Sequence, residues 1–120
     1  MRTTSWNHGT VATANYSEND PSNAGGFLVG VLASVSGIAL AGAETGGLVF
    51  YRLWLGAALE GQAKLADVTL WLYRTAGSGS ANGQTVYVPV GMKIPAGIPL
   101  VHNMGLTIGD AQANIVLFWK

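Results

Sequence analysis

The chain holds few residues arranged to do chemistry. It has two histidines, His8 and His102, the residue type that most often serves as a proton carrier in catalysis. A nucleophile–base–acid set can be drawn from Ser34 or Ser36, His102 and Asp110. The imidazole would take the serine proton and the carboxylate would hold the imidazole in place. Neither serine sits in the Gly-x-Ser-x-Gly elbow that such chemistry uses on a sheet-to-helix turn. His102 therefore reads as a hydrogen-bonded loop histidine. Glu18 and Asp20, beside Asn19 and Asn23, place oxygen ligands at alternate positions, as calcium sites do. The twelve-residue calcium-loop pattern is missing, and Asp20-Pro21 within Asn and Ser is an ordinary turn signal. Gly25-Gly26 and Gly77-Ser78-Gly79 lack the Lys-Ser/Thr that follows in phosphate-binding loops. The expectation is a non-enzymatic chain with no catalytic residues, no metal and no cofactor.

Arg52 and Arg74 are a different matter. Each lies inside an aromatic run, where a covered charge must be paired or stacked. Phe50, Trp54 and Tyr73 are available for cation–π contact, and Glu44, Glu60 or Asp67 for pairing. Two readings stand: an arginine reaching an acidic partner across an interface, or one snorkelling to water from the edge of the core. Most aromatic residues fall in strand-like runs, where packing explains them. Trp6 and Tyr16 stand in polar surroundings and read as anchors for a partner's pocket. The candidate interface residues are Trp6, Tyr16, Tyr51, Arg52, Trp71, Tyr73, Arg74 and Phe118.

The elements that must position these residues are built from an unusual composition. Only 10% of the 120 residues are charged, six basic and six acidic, for a net charge of zero. A typical globular chain has about 25%. Hydrophobic residues make up 49%, with 17 glycines. Charge normally keeps folded surfaces apart, so a chain this poor in it is expected to have much of its outside covered. The scattered Lys and Arg form no basic stripe, which argues against nucleic acid. There is no cysteine, hence no disulfide or thiolate metal site. Residues 3–10 are polar, so no secretion signal is seen. The uncharged run Gly25 to Ala43 has the length of a membrane helix. It contains five glycines and lacks interfacial anchors, and Phe27, Val29, Val31, Ala33 and Val35 alternate as in a strand, with Ser36-Gly37 as a turn.

Residues 1–25 read as an extended N-terminal arm, or a loop with one short strand at Val11 to Tyr16, with a turn cluster at Glu18 to Asn23, ordered against a partner. Residues 26–120 read as one β domain. Leu48–Leu55 and Val68–Arg74 are strand runs, paired as a hairpin with Leu59 facing Leu65, which sets Tyr51 against Tyr73 and Leu53 against Trp71. A short helix over 56–66 is the competing reading. Val86, Val88 and Val90 alternate, and Pro89 marks an edge strand. Ile94-Pro-Ala-Gly-Ile-Pro99 reads as a turn with its φ preset by proline. Ala113–Lys120 is so apolar that it belongs in the centre of a sheet or across a subunit boundary. About seven or eight short strands separated by Gly, Pro, Asn and Ser favour an all-β, antiparallel β-sandwich or jelly-roll-like barrel.

The run from Val86 to Ile108 (VYVPVGMKIPAGIPLVHNMGLTI) and the terminal Ile115–Trp119 (IVLFW) follow a polar arm in a Gly-rich, Cys-free chain. In this the chain resembles small structural proteins of tailed-phage virions, above all head-decoration or cement proteins. That resemblance is one of overall character and carries no specific binding residues. It implies a virion location on the capsid surface, the major capsid protein or other virion subunits as partners, and a homo-oligomer, commonly a trimer. A tail or fibre component, a receptor- or glycan-binding module using exposed aromatics such as Trp6, and a small membrane protein of holin type spanning Gly25 to Ala43 are the competing readings.

Overall fold

A computed structural model describes residues 2–11, 16–20, 26–39, 46–56, 63–73, 82–106 and 110–120. All elements among them are strands, packed as two antiparallel sheets: a β-sandwich. In chain order they are β1 (Arg2–Val11), β2 (Tyr16–Asp20), β3 (Gly26–Ala39), β4 (Gly46–Leu55), β5 (Ala63–Tyr73), β6 (Asn82–Gly83), β7 (Thr85–Ile94), β8 (Leu100–Leu106) and β9 (Asp110–Trp119). The four-stranded sheet runs β1-β9-β3-β7 and the five-stranded sheet β2-β8-β4-β5-β6.

Period-2 patterning places the core between the sheets. Along β9, Ala111, Ala113, Ile115, Leu117 and Trp119 point inward, while Gln112, Asn114, Val116 and Phe118 point out. From the other sheet Val49, Tyr51 and Leu53 of β4 and Leu70 and Leu72 of β5 meet them. The terminal strand is central, as its apolarity demanded, and β7, which carries Pro89, is an edge. β8 is buried along its whole length between β2 and β4.

The N-terminal segment departs from the expected partner-bound arm. Residues 2–8 run along β9 from Trp119 back to Ala113, and residues 16–20 pair with β8. A polar sequence suffices for strands at sheet edges, because the backbone ladder supplies the bonds and only one side-chain face meets the core. Glu18 to Asp20 are thus strand residues and not the turn their composition suggested.

The uncharged run is also corrected. Gly26–Ala39 is one long strand, with no turn at Ser36-Gly37, and no described helix is long and apolar enough to cross a membrane. Leu28 pairs with Trp119 and Gly30 with Phe118, leaving Val29 as a bulge. A bulge reverses which parity faces inward. Phe27 is therefore exposed, Leu28 buried, and Val31, Ala33 and Val35 buried beyond the bulge.

The hairpin between β4 and β5 forms, although its tip at 57–62 lies outside the described residues. Its register differs from expectation: Tyr51 pairs with Val68, Leu53 with Ala66 and Leu48 with Trp71. An odd slip exchanges faces. Tyr51 and Leu53 turn inward, and Trp71 and Tyr73 turn outward.

Two glycines have structural reasons. Gly83 carries the chain over to β7 and lies so close to the Val35 carbonyl that a Cβ would collide with it. The neighbouring amide of Val35 donates to the Gln84 carbonyl at 3.2 Å, tying the sheets at this corner. Gly97 has φ +80° at the third position of the Pro95–Ile98 turn, which Ile98 closes by donating to the Pro95 carbonyl at 3.3 Å. That positive φ, and not a proline-fixed one, makes the turn.

Candidate functional site

The outer face of the β4–β5 hairpin brings together the largest share of the predicted interface residues. Cross-strand pairing sets Leu48 beside Trp71, Phe50 beside Thr69, Arg52 beside Asp67 and Trp54 beside Lys64. Leu48 is 41% exposed, Trp71 45% and Tyr73 44%. Isolated apolar residues on a surface are ordinary, but neighbouring large ones on one face mark an interaction surface.

The other end of this face is charged, with two cations sharing one carboxylate. Arg52 Nε donates to Asp67 Oδ1 at 3.3 Å, and Lys64 Nζ donates to Asp67 Oδ2 at 2.7 Å. The Lys64 hydrogen bond is the largest cause holding the Asp67 carboxyl below its ordinary value, with Arg52 helping and partial desolvation opposing. The Arg52 guanidinium lies 4.5 Å from the centre of the Phe50 ring, and Lys64 Nζ 5.5 Å from that of Trp54. Of the partners open to Arg52 in sequence, Asp67 and Phe50 are met among the described residues, while Glu44 and Glu60 lie outside them. β5 is held at its other edge by Gln84, whose side-chain oxygen accepts from the Trp71 amide at 2.9 Å and whose amide donates to the Trp71 carbonyl at 3.1 Å. The exposed indole of Trp71 thus stands on a backbone bonded on both sides.

Other predicted residues lie elsewhere. Tyr51 is fully buried and shares a 2.6 Å hydrogen bond with Nδ1 of His102. Trp6 is half-buried and points into the sandwich, stacked at 4.7 Å on His102 and at 5.7 Å on His8. It packs the chain's own β1 against β8, where the sequence had suggested an anchor standing in polar surroundings. Phe118 lies on the outer face of the opposite sheet, edge-on to Tyr87 at 6.1 Å. The backbone of Tyr16 pairs with Met104. Arg74 lies outside the described residues.

The serine–histidine–aspartate set does not assemble. His102 is in strand β8, not a loop, and is sealed in the core. Ser34, on the outer face of the other sheet, donates to the Asn114 carbonyl at 3.3 Å. Among the described residues, no group of three or more His, Cys, Asp or Glu could hold a metal ion.

Sequence reasoning missed Leu48 and Phe50 as members of the hairpin face, and Phe27 and Tyr87, 40% and 47% exposed, on the other sheet. Period-2 counting from Trp71 in the correct register would have found the first pair. Phe27 was hidden by the bulge.

No protein-family model and no curated protein matches this chain. Among solved structures, it is similar to the VP2 subviral particle of infectious bursal disease virus, at 8% identity and a TM-score of 0.44, over 98% of this chain and 33% of that one. It is also similar to a structure of the Gx strain of the same virus, at 8% identity and a TM-score of 0.40, over 98% and 32%. The chain spans about a third of the length of these viral chains.

Proposed function

We propose that this protein is a non-enzymatic structural component of a virion, a capsid decoration or cement protein that bridges shell subunits. The observation carrying this reading is the exposed hairpin face, where Leu48, Trp71 and Tyr73 lie together on a chain with only 10% charged residues. Such a face is a poor solvent boundary and a good docking one. Each 100 Å² of apolar surface covered contributes about 2.5 kcal/mol before the costs of association. Many copies on a symmetric shell add to this by multivalency. The Arg52–Asp67–Lys64 end, part-exposed and carrying one excess positive charge, suits a solvated rim. Partners on this reading are the major capsid protein or other virion subunits, with self-association into a trimer as the oligomeric form.

Co-sedimentation with shells stripped of the protein tests this, together with the melting temperature of those shells. The intact chain is expected to bind and raise shell stability. Trp71→Ser with Tyr73→Ser is expected to abolish both while leaving the β circular-dichroism spectrum intact. A stable monomer with no affinity for any shell would overturn the proposal.

A further inference from the structure

The outer face of the four-stranded sheet is divided. One half is apolar, with Leu32, Tyr87, Val116 and Phe118 on adjacent positions. In the other half the register aligns Asn7 with Asn114, Asn114 with Ser34, and Ser34 with Thr85. This is one transverse row of neutral hydrogen-bonding side chains crossing all four strands, a span of about 14 Å at the usual strand spacing. Gln112 pairs with Ser36 in the next row. Asn7, Gln112, Asn114, Ser34 and Ser36 line a groove of about 550 Å³, within the range of small-ligand sites. Among the described residues, no Asp, Glu, Lys or Arg lines it. His8, which also lines it, is engaged in the ring stack with Trp6.

We infer that this groove is a binding site for a neutral oligosaccharide. Each carboxamide offers an acceptor oxygen and an NH₂ donor, and each hydroxyl can do both. A sugar hydroxyl likewise donates and accepts, so the two inventories are complementary without any charge. A phosphate or polyanion would need cations, and the described lining residues supply none. An apolar segment would gain more on the other half of the same face. An added β-strand would use the backbone of an edge, not side chains on a face. The groups stand on paired strands, and the bond from Ser34 to the Asn114 carbonyl fixes one of them in advance, as a preorganised site requires.

This inference is independent of the capsid proposal, because the two use different sheets. The test is amide chemical-shift mapping of the intact chain during titration with cello-, chito- and galacto-oligosaccharides, and with a heparin fragment as polyanionic probe. The expected result is saturable binding of at least one neutral oligosaccharide, with shifts centred on 5–8, 34–36 and 112–114. Asn114→Leu with Gln112→Leu is expected to weaken that binding at least tenfold, while Trp71→Ser with Tyr73→Ser leaves it unchanged. No saturable binding of any neutral probe, shifts centred elsewhere, or binding of heparin alone would overturn the inference. Mapping on the unmodified chain decides the matter even if the double variant does not fold.

Discussion

Replacing Tyr51 by Phe removes one oxygen from the centre of the sandwich. That oxygen is in a fully buried side chain and lies 2.6 Å from Nδ1 of His102, itself fully buried. The ring keeps its packing against Met104 and Val68, its neighbours in register on β8 and β5. The change is therefore close to a pure loss of one buried hydrogen bond. Depriving a buried polar atom of its partner costs about 1–3 kcal/mol. For a chain of this size that corresponds to a fall in Tm of roughly 4–12 °C. Urea denaturation is the direct assay, with an unchanged m-value showing that stability and not the denatured state has altered. Replacing both partners, Tyr51→Phe with His102→Leu, removes the polar demand altogether. The double variant is expected to lose about 1–2 kcal/mol less than the sum of the singles. Tyr87→Phe, at a tyrosine that is 47% exposed, is expected to stay within about 0.5 kcal/mol of the parent. If Tyr51→Phe is as harmless as Tyr87→Phe, or if the double variant is strictly additive, the buried pair does not contribute as argued here.

Other expectations follow from single positions. Gly97→Ala meets no atom within 4 Å but must hold φ at +80°, so it should lose about 1 kcal/mol by backbone strain alone, read by thermal melting. Gly83→Ala adds a Cβ against the Val35 carbonyl at the corner between the sheets and should cost more, about 1–3 kcal/mol, with loss of amide-exchange protection at Val35. Asp67→Asn removes a carboxylate whose pKa is lowered in the fold, so its contribution is present at neutral pH and lost as pH falls through and below its ordinary value of 3.8. Both ion-pair partners are well exposed, with the Asp67 side chain at 41%, so the effect at pH 7 should be a few tenths of a kcal/mol and should fade as pH falls below 3.8.

Much of the architecture is legible in the residues themselves. The β-branched and aromatic runs at 48–55 and 68–73 are strands, and Pro89, unable to donate to a ladder on one side, lies on an edge strand. The apolar run at 113–119 lies in the middle of its sheet because an open edge of that composition would aggregate. The candidate site was less legible. Arg52, Trp71 and Tyr73 do share an outer face, but Tyr51 and Trp6 were assigned to a surface when both serve the interior. The signal that separates them is the pairing partner, and no local pattern contains it.

That division has a physical cause. Alternation along a strand states that two faces differ, and it fixes the all-β class, the shortage of surface charge and the location of the apolar excess. Which face is inside depends on register, and one extra residue reverses it. Val29 does so in β3, and the slip between Tyr51–Tyr73 and the observed Tyr51–Val68 does so across β4 and β5. Tertiary structure alone also decided that polar residues 2–8 pair with the C-terminal strand, and that His102 is clasped by Tyr51 and Trp6. These contacts join residues far apart in the chain, so their energy becomes available only once both sheets have closed on each other.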